Sequence, residues 1–317
     1  MTEHTDGTGN FSDKSRLRAT QEISAAESIG LIGVGLLGSA IAERLMLAGR
    51  PVTGFDVSET CRLRLQEFGG HVADSAAGVF QYCRVVILSL PDSDVVQRLI
   101  DDVAEAIDSH LIIDTTTGSP DRTRLIGSRL EELGTGFLDA TVVGSSEHVR
   151  RGEAVMLVGG KRDAFEFVLP LLRELSSTQF HTGSCGSGAT AKLIVNLVLG
   201  LNRAVLAEGL SLARGCGVDL PQMLEILQSG AAYSRVMDTK GPKMLSGDFT
   251  PQARLDQHWK DVRLILELGR KHGAVLPLSQ IHEGLLEQAS AMGLGASDNS
   301  AVIRAFEVSV PTSAATR

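Results

Sequence analysis

Lys192 and Asn196 stand four residues apart in the stretch GSCGSGATAKLIVN, residues 183–196. The apolar spacing around them predicts a helix, and a four-residue step puts the ammonium and the amide on one face of it. A lysine held against an oxygen can donate a proton during carbonyl reduction and accept one during alcohol oxidation. The second task needs a lowered pKa, which burial and neighbouring positive charge produce. Asn196 brings a donor and an acceptor that can hold a reacting hydroxyl. A solitary helix lysine usually packs its stem and sends its head to water. The glycines at 186 and 188 and the partner amide favour chemistry over that bland reading.

A second constellation lies near the other end of the chain. Gly33-Val-Gly35-Leu36-Leu37-Gly38 is GxGxxG, placed between a buried-strand run, SIGLIG, and a helical stretch over 36–48. In that setting Gly33 permits a tight turn, Gly35 lets a pyrophosphate approach the backbone, and Gly38 allows close helix–strand packing. Leu36 and Leu37 open the helix, whose free N–H groups and positive dipole end favour phosphate. Asp56 ends the next strand-like run, VTGFD, 18 residues past Gly38. A carboxylate there binds ribose hydroxyls and repels a 2′-phosphate, so NAD is the preferred cofactor, with NADP possible because Arg62 and Arg64 stand nearby.

These motifs need a scaffold, and the chain's patterning supplies one. Short apolar runs recur at 85–90, 111–116, 136–143 and 154–159, separated by helical stretches such as 121–133 and 163–175. Wholly apolar strands alternating with helices predict an α/β fold with a parallel sheet covered on both faces. Beyond about residue 185 the pattern reads as helices alone, over 187–214, 220–229, 251–272 and 278–291. The expected division is a flexible tail over 1–27 with some helical tendency at 17–26, a dinucleotide-binding domain over 28–184 and a helical domain over 185–317. The segment 189–213 is apolar almost all round, so it is expected to be buried between domains or against a second subunit.

At 317 residues, 43% hydrophobic and 21% charged, the chain has the composition of a two-domain globular protein. A net charge of −8 offers no basic surface for nucleic acid or an anionic membrane. No uninterrupted apolar run suits a membrane span. Cys61, Cys83, Cys185 and Cys216 are scattered without metal-ligand spacing, which suits a reducing cytoplasm and no bound metal.

Four stretches, in order, resemble the β-hydroxyacid dehydrogenases, the family typified by 3-hydroxyisobutyrate dehydrogenase and tartronate semialdehyde reductase. They are IGLIGVGLLGSAIAERL, FLDATVVGSSEHVRRGEAVMLVGG, GSGATAKLIVN and FTPQARLDQHWKDVRLIL, and the resemblance spans about Ser28 to Phe306. The third matches the family's GxGxxxKxxxN at Gly186, Gly188, Lys192 and Asn196. The resemblance implies a Rossmann-type doubly wound sheet followed by an all-helical C-terminal domain, assembled as a homodimer or homotetramer. It also implies reversible oxidation of a small 3-hydroxy acid by NAD(P). By position, Lys192 would be catalytic and Asn196 would orient substrate. Lys260 would touch both nicotinamide and substrate, and its charge would help lower the pKa of Lys192. Leu90, Pro91 and Thr117 would contact the cofactor.

The substrate loop departs from the family's DAPVSGG. Here Thr141 replaces the proline, Val143 the serine and Ser145 the second glycine, so Val143, Gly144 and Ser145 form the expected substrate-binding segment. A lost hydrogen bond to a charged group costs about 1.5–3 kcal/mol, enough to change preference among small anionic substrates. Arg150 and Arg151 flank the loop and read as solvated. His258 reads as surface or packing, and Asp261 as a cap or ion-pair partner. A 6-phosphogluconate-type enzyme would carry a His-Asn pair after the lysine, and imine reductases usually replace the lysine. The alternative from another class is a catalytically inactive dinucleotide-binding module for sensing or assembly.

Overall fold

The computed structural model describes residues 23–307. The expected tail therefore lies outside the described residues up to 22. Residues 23–27 form a turn, with the carbonyls of Ile23 and Ser24 accepting from Arg50 Nη1.

Among the described residues, eight strands form one sheet. The first half of the chain runs β1 (Ile29–Ile32), α1 (Leu36–Leu47), β2 (Val52–Phe55), α2 (Glu59–Glu67), β3 (His71–Val72), α3 (Ala76–Tyr82), β4 (Val85–Leu88), α4 (Ser93–Asp102) and β5 (Leu111–Asp114). Next come α5 (Pro120–Glu132), β6 (Gly136–Val143), α6 (Ser146–Arg150), β7 (Val155–Gly160), α7 (Arg162–Leu175) and β8 (Thr178–Gly183). The order β3-β2-β1-β4-β5-β6-β7-β8 reverses direction between β1 and β4, which opens a crevice above their C-terminal ends. Every residue of β1, β4 and β5 is buried, as a strand with helices on both faces requires.

One pairing differs from the all-parallel expectation: β6 and β7 are antiparallel. Only the single turn of α6 and its flanking loops connect them. A parallel return needs a crossover of about a dozen residues or more, usually through a full helix. The short connection therefore turns the chain straight back.

The remainder is helical: α8 (Ser187–Gly215), α9 (Leu220–Ser229), α10 (Arg235–Ser246), α11 (Leu255–His272), α12 (Pro277–Ala289) and a closing 3₁₀ helix (Asn299–Phe306). These surround a core that includes Leu206, Leu210, Val262, Leu266, Leu286 and Val302. Along α8, Lys192, Leu193, Asn196, Gly200 and Arg203 face inward. Ile194, Val198, Val205 and Leu212 are more than half exposed on its other side. The expectation of burial all round thus holds within the subunit for one face only. The same apolar outer face makes α8 long and hydrophobic enough for a membrane span by composition, although its polar inner stripe is packed in the protein.

Candidate active site

The GxGxxG turn has the form a dinucleotide requires. Gly33 sits at φ +92°, a left-handed conformation that favours glycine, and a Cβ there would strike the Ser89 carbonyl. A Cβ on Gly38 would strike the carbonyl of Gly33, so the helix can pack this closely only with glycine. Nothing lies within 4 Å of where a Gly35 Cβ would stand, leaving the backbone open to a phosphate group. Asp56 braces the turn: its carboxylate accepts from Val34 N at 2.7 Å and from Ser58 N at 2.8 Å. Arg62 bonds the Asp56 carbonyl at 2.6 Å and lies over the Phe55 ring, so a cation stands beside the acid. These residues fit a nicotinamide dinucleotide.

The far wall of the crevice is tied to the helical region by Lys260. Its ammonium donates to the carbonyls of Pro91 at 2.9 Å and Thr117 at 2.6 Å, and Gln257 also reaches Pro91. Leu90 N is held by Thr116 Oγ1 at 3.2 Å. Leu90, Pro91, Thr117 and Lys260 therefore converge at one edge, above the C-terminal ends of β4 and β5.

How α8 enters this site is set by a residue the sequence patterning leaves unassigned, Asp139. It lies on β6, 1% exposed, and accepts from Gly186 N and Ala189 N, both at 2.8 Å. Gly186, the residue before the helix, has no side chain to cap it, so Asp139 performs that task from the sheet. Gly186 takes φ +85°, and a Cβ on Gly188 would lie 2.6 Å from the carbonyls of Asp139 and Leu157. The glycines of GSCGSG thus press the start of α8 against the sheet, which places Lys192 just above it. Thr141 adds a tether, donating to the Gly188 carbonyl at 3.1 Å. Burial raises the pKa of Asp139 despite the two backbone donors, and raises its neighbour Asp114 to about 7.

Lys192 is 8% exposed and Asn196 7%. Burial drives Lys192 down to about 8; Asp261 opposes the shift and Lys260 adds to it. Asn196 Nδ2 donates to Asp261 Oδ2 at 2.8 Å, which leaves its carbonyl and second N–H available. Asp261 also faces Lys260 Nζ at 3.3 Å. Read in sequence as a cap or ion-pair partner, Asp261 holds Asn196 across 65 residues of chain and pairs with Lys260, and its charge acts on Lys192.

The substrate loop follows β6. Val143 carries no polar group, Gly144 adopts φ +139°, and Ser145 caps α6. The Ser145 hydroxyl lies 2.7 Å from His148 Nδ1, so the replacement hydroxyl is already engaged within the loop. Arg150 forms a two-pronged pair with Glu43, and Arg151 pairs with Glu153. His258 is buried packing, its ring 5.2 Å from that of His282.

Both imidazoles lean on Gly200, where a Cβ would lie 2.5 Å from His258 Nε2 and 2.7 Å from His282 Cε1. In a helix interior, Gly→Ala normally stabilises by about 0.5–1 kcal/mol. At this position overpacking, worth about 1–3 kcal/mol, should outweigh that gain. Gly200→Ala is therefore expected to lower the thermal midpoint, and a raised midpoint would show that the histidines yield freely.

Comparison with known proteins agrees with this architecture. A family model described as the NAD binding domain of 6-phosphogluconate dehydrogenase matches residues 28–183. Another, described as NAD-binding of NADP-dependent 3-hydroxyisobutyrate dehydrogenase, matches residues 186–306. The chain is 31% identical to 2-(hydroxymethyl)glutarate dehydrogenase of Eubacterium barkeri, over 88% of this chain and 94% of that one. It is 30% identical to glyoxylate/succinic semialdehyde reductase 1 of Arabidopsis thaliana, over 89% and 99%. The crystal structure of 3-hydroxyisobutyrate dehydrogenase from Salmonella typhimurium superposes with a TM-score of 0.82 at 26% identity, covering 88% of this chain and 99% of that one. With the dinucleotide turn, the helical region and the Lys192 cluster in one arrangement, the chain belongs to the NAD(P)-dependent β-hydroxyacid dehydrogenases of the 3-hydroxyisobutyrate dehydrogenase type.

Proposed function

We propose that this protein oxidises a small 3-hydroxy acid to the corresponding semialdehyde or keto acid, and catalyses the reverse reduction, with Lys192 as the proton-transfer residue and NAD as the preferred cofactor. The observation that carries this reading is a lysine 8% exposed, lowered to about 8 by burial, one helix turn from Asn196, whose amide is fixed by Asp261 beside Lys260. When bound, the nicotinamide supplies the hydride acceptor or donor.

The protein's own groups supply the rest. Lys192 Nζ takes the hydroxyl proton in oxidation and returns a proton to the carbonyl oxygen in reduction. Asn196, fixed by Asp261, offers its second N–H to the same oxygen. The Val143–Ser145 segment receives the substrate carboxylate, with backbone replacing the hydroxyl that Val143 lacks. Lys260 holds the Pro91 and Thr117 carbonyls in place beside the nicotinamide site. The preference for NAD rests on the Asp56 carboxylate, with Arg62 beside it as the opposing influence. The half-exposed apolar face of α8 supports a homodimer or homotetramer, and four unpaired cysteines support a cytoplasmic setting.

A panel of 3-hydroxy acids followed by dinucleotide absorbance tests the reading. Turnover is expected with at least one, with kcat/KM for NAD+ exceeding that for NADP+ by about tenfold or more, as a like-charge contact at the 2′-phosphate implies. Tight NADH binding without turnover of any member would favour the inactive-module alternative. A preference for NADP+ would show that Arg62 prevails over Asp56.

A further inference from the structure

The segment that follows β6 holds a side chain against its own donors. Ser145 N donates to His148 Nδ1 at 3.2 Å, and the Ser145 hydroxyl lies 2.7 Å from the same nitrogen. His148 N in turn donates to Ser145 Oγ at 3.4 Å, which leaves the hydroxyl proton to point at Nδ1. A ring nitrogen that accepts carries no proton, so the neutral ring is the Nε2–H tautomer. Two donors therefore converge on one lone pair. A carboxylate oxygen brings a second lone pair and a negative charge, and so suits the same two donors better. Gly144 lets the ring lie this close: it adopts φ +139°, and a Cβ on it would stand 3.1 Å from His148 Cβ. Gly144 is exposed, and Ser145 and His148 are half-buried, so an anion from solvent can reach this point.

The charges around His148 come from three directions. Burial and Arg151 lower its pKa, Glu153 opposes them, Arg235 of α10 lowers it further and Glu147 opposes. On α1, which packs against α6, Glu43 is committed to Arg150 and Arg44 to the Glu174 carbonyl. With its pKa below that of an ordinary imidazole, the ring is neutral in neutral solution and keeps both Ser145 donors. Protonation places a hydrogen on Nδ1, so that two donors face a third and the contact breaks.

We propose that His148 controls carboxylate binding in the substrate segment: its Nδ1 occupies the point where the Ser145 donors converge, and a substrate carboxylate takes that point as the ring gains a proton and swings aside. The inference rests on the dehydrogenase reading above for the place of the carboxylate. A carboxylate held at Ser145 beside an imidazolium favours the charged ring, so binding raises the pKa of His148. Anion affinity is then highest below the pKa of the ring in the free protein. It falls as pH rises through that value towards the higher one of the complex, and one proton enters with the anion between them.

Propanoate, a carboxylate without the reacting hydroxyl, reads the segment without turnover. In calorimetry of the NAD+-bound protein, its affinity should fall about tenfold between about pH 5.5 and about pH 7.5, the weight of one charged hydrogen bond. Buffers of different ionisation enthalpy should reveal proton uptake with each propanoate bound. His148→Gln keeps an acceptor for Ser145, because glutamine at this spacing from a capping serine closes the same box, yet it does not titrate. It should bind propanoate weakly throughout, without the proton uptake. His148→Ala frees both donors and should bind more tightly than wild type at about pH 7.5. Asp114, raised to about 7, and Lys192, lowered to about 8, are common to all three proteins, so the differences between them belong to His148. Wild-type NAD+ affinity in both variants confirms that they fold. A level wild-type affinity, the same pH dependence in His148→Gln, no gain in His148→Ala, or no propanoate binding at any pH overturns the inference and leaves the dehydrogenase standing. Proton-linked propanoate binding lost in His148→Gln, with no hydroxy acid turned over, keeps the inference and overturns the catalytic reading.

Discussion

Replacing Lys192 with alanine is expected to lower kcat by about a hundred- to ten-thousandfold, the range associated with a positioned general acid–base group. The loss should appear in both directions, because one Nζ serves the hydroxyl proton in oxidation and the carbonyl oxygen in reduction. Dinucleotide binding should persist, since the glycine turn, Asp56 and the Pro91 edge are separate from α8. Lys192→Arg sharpens the test. Guanidinium keeps the positive charge but does not deprotonate at accessible pH, so it should fail to rescue oxidation. Steady-state rates for the three proteins decide the matter. An alanine variant retaining a tenth or more of wild-type kcat, itself about 1.4 kcal/mol of barrier, would remove Lys192 from the chemistry.

The second large effect is on stability. Asp139→Ala would leave the N–H groups of Gly186 and Ala189 buried without an acceptor and open space beside β6. Each unsatisfied group costs about 1–3 kcal/mol, so a loss of about 3 kcal/mol or more is expected in urea unfolding. Asp139→Asn keeps one acceptor oxygen and relieves repulsion with Asp114, so its cost should be smaller. The alanine variant should also lose kcat, because a freed helix start no longer fixes Lys192. A shift below about 1 kcal/mol would show that water or Thr141 replaces the carboxylate readily.

Much of this organisation is legible in the residues themselves. The apolar runs of β1, β4 and β5 mark buried strands, and GxGxxG between a strand and a helix marks the crevice. The two edge strands escape. β3 has two residues, and β8, TQFHTG, is half-buried at the sheet edge and lacks an apolar run. α10 contains Gly241 and Pro242, which read as a break, yet packs Val236, Met237 and Met244 into the helical core. Lys192 and Asn196 are visible because a helix places them together locally. Asp139 and Asp261 are not, because each acts on a partner 47 or 65 residues away. Local spacing carries no trace of such a contact. The same holds for His258 and His282, which come from two helices and meet at Gly200 of a third.

The most direct test of the central claim is the pH dependence of kcat/KM in both directions. Lys192 is lowered to about 8 by burial, with Lys260 assisting. Oxidation requires the neutral amine, so its rate should rise with pH through about 8 and level off above. Reduction requires the ammonium, so its rate should be level below that value and fall as pH rises through it. Opposite limbs with a common midpoint near 8 are the predicted result. Rates that bend the same way in both directions, or a midpoint near the 10.5 of an ordinary lysine, would contradict a buried Lys192 as the proton-transfer group.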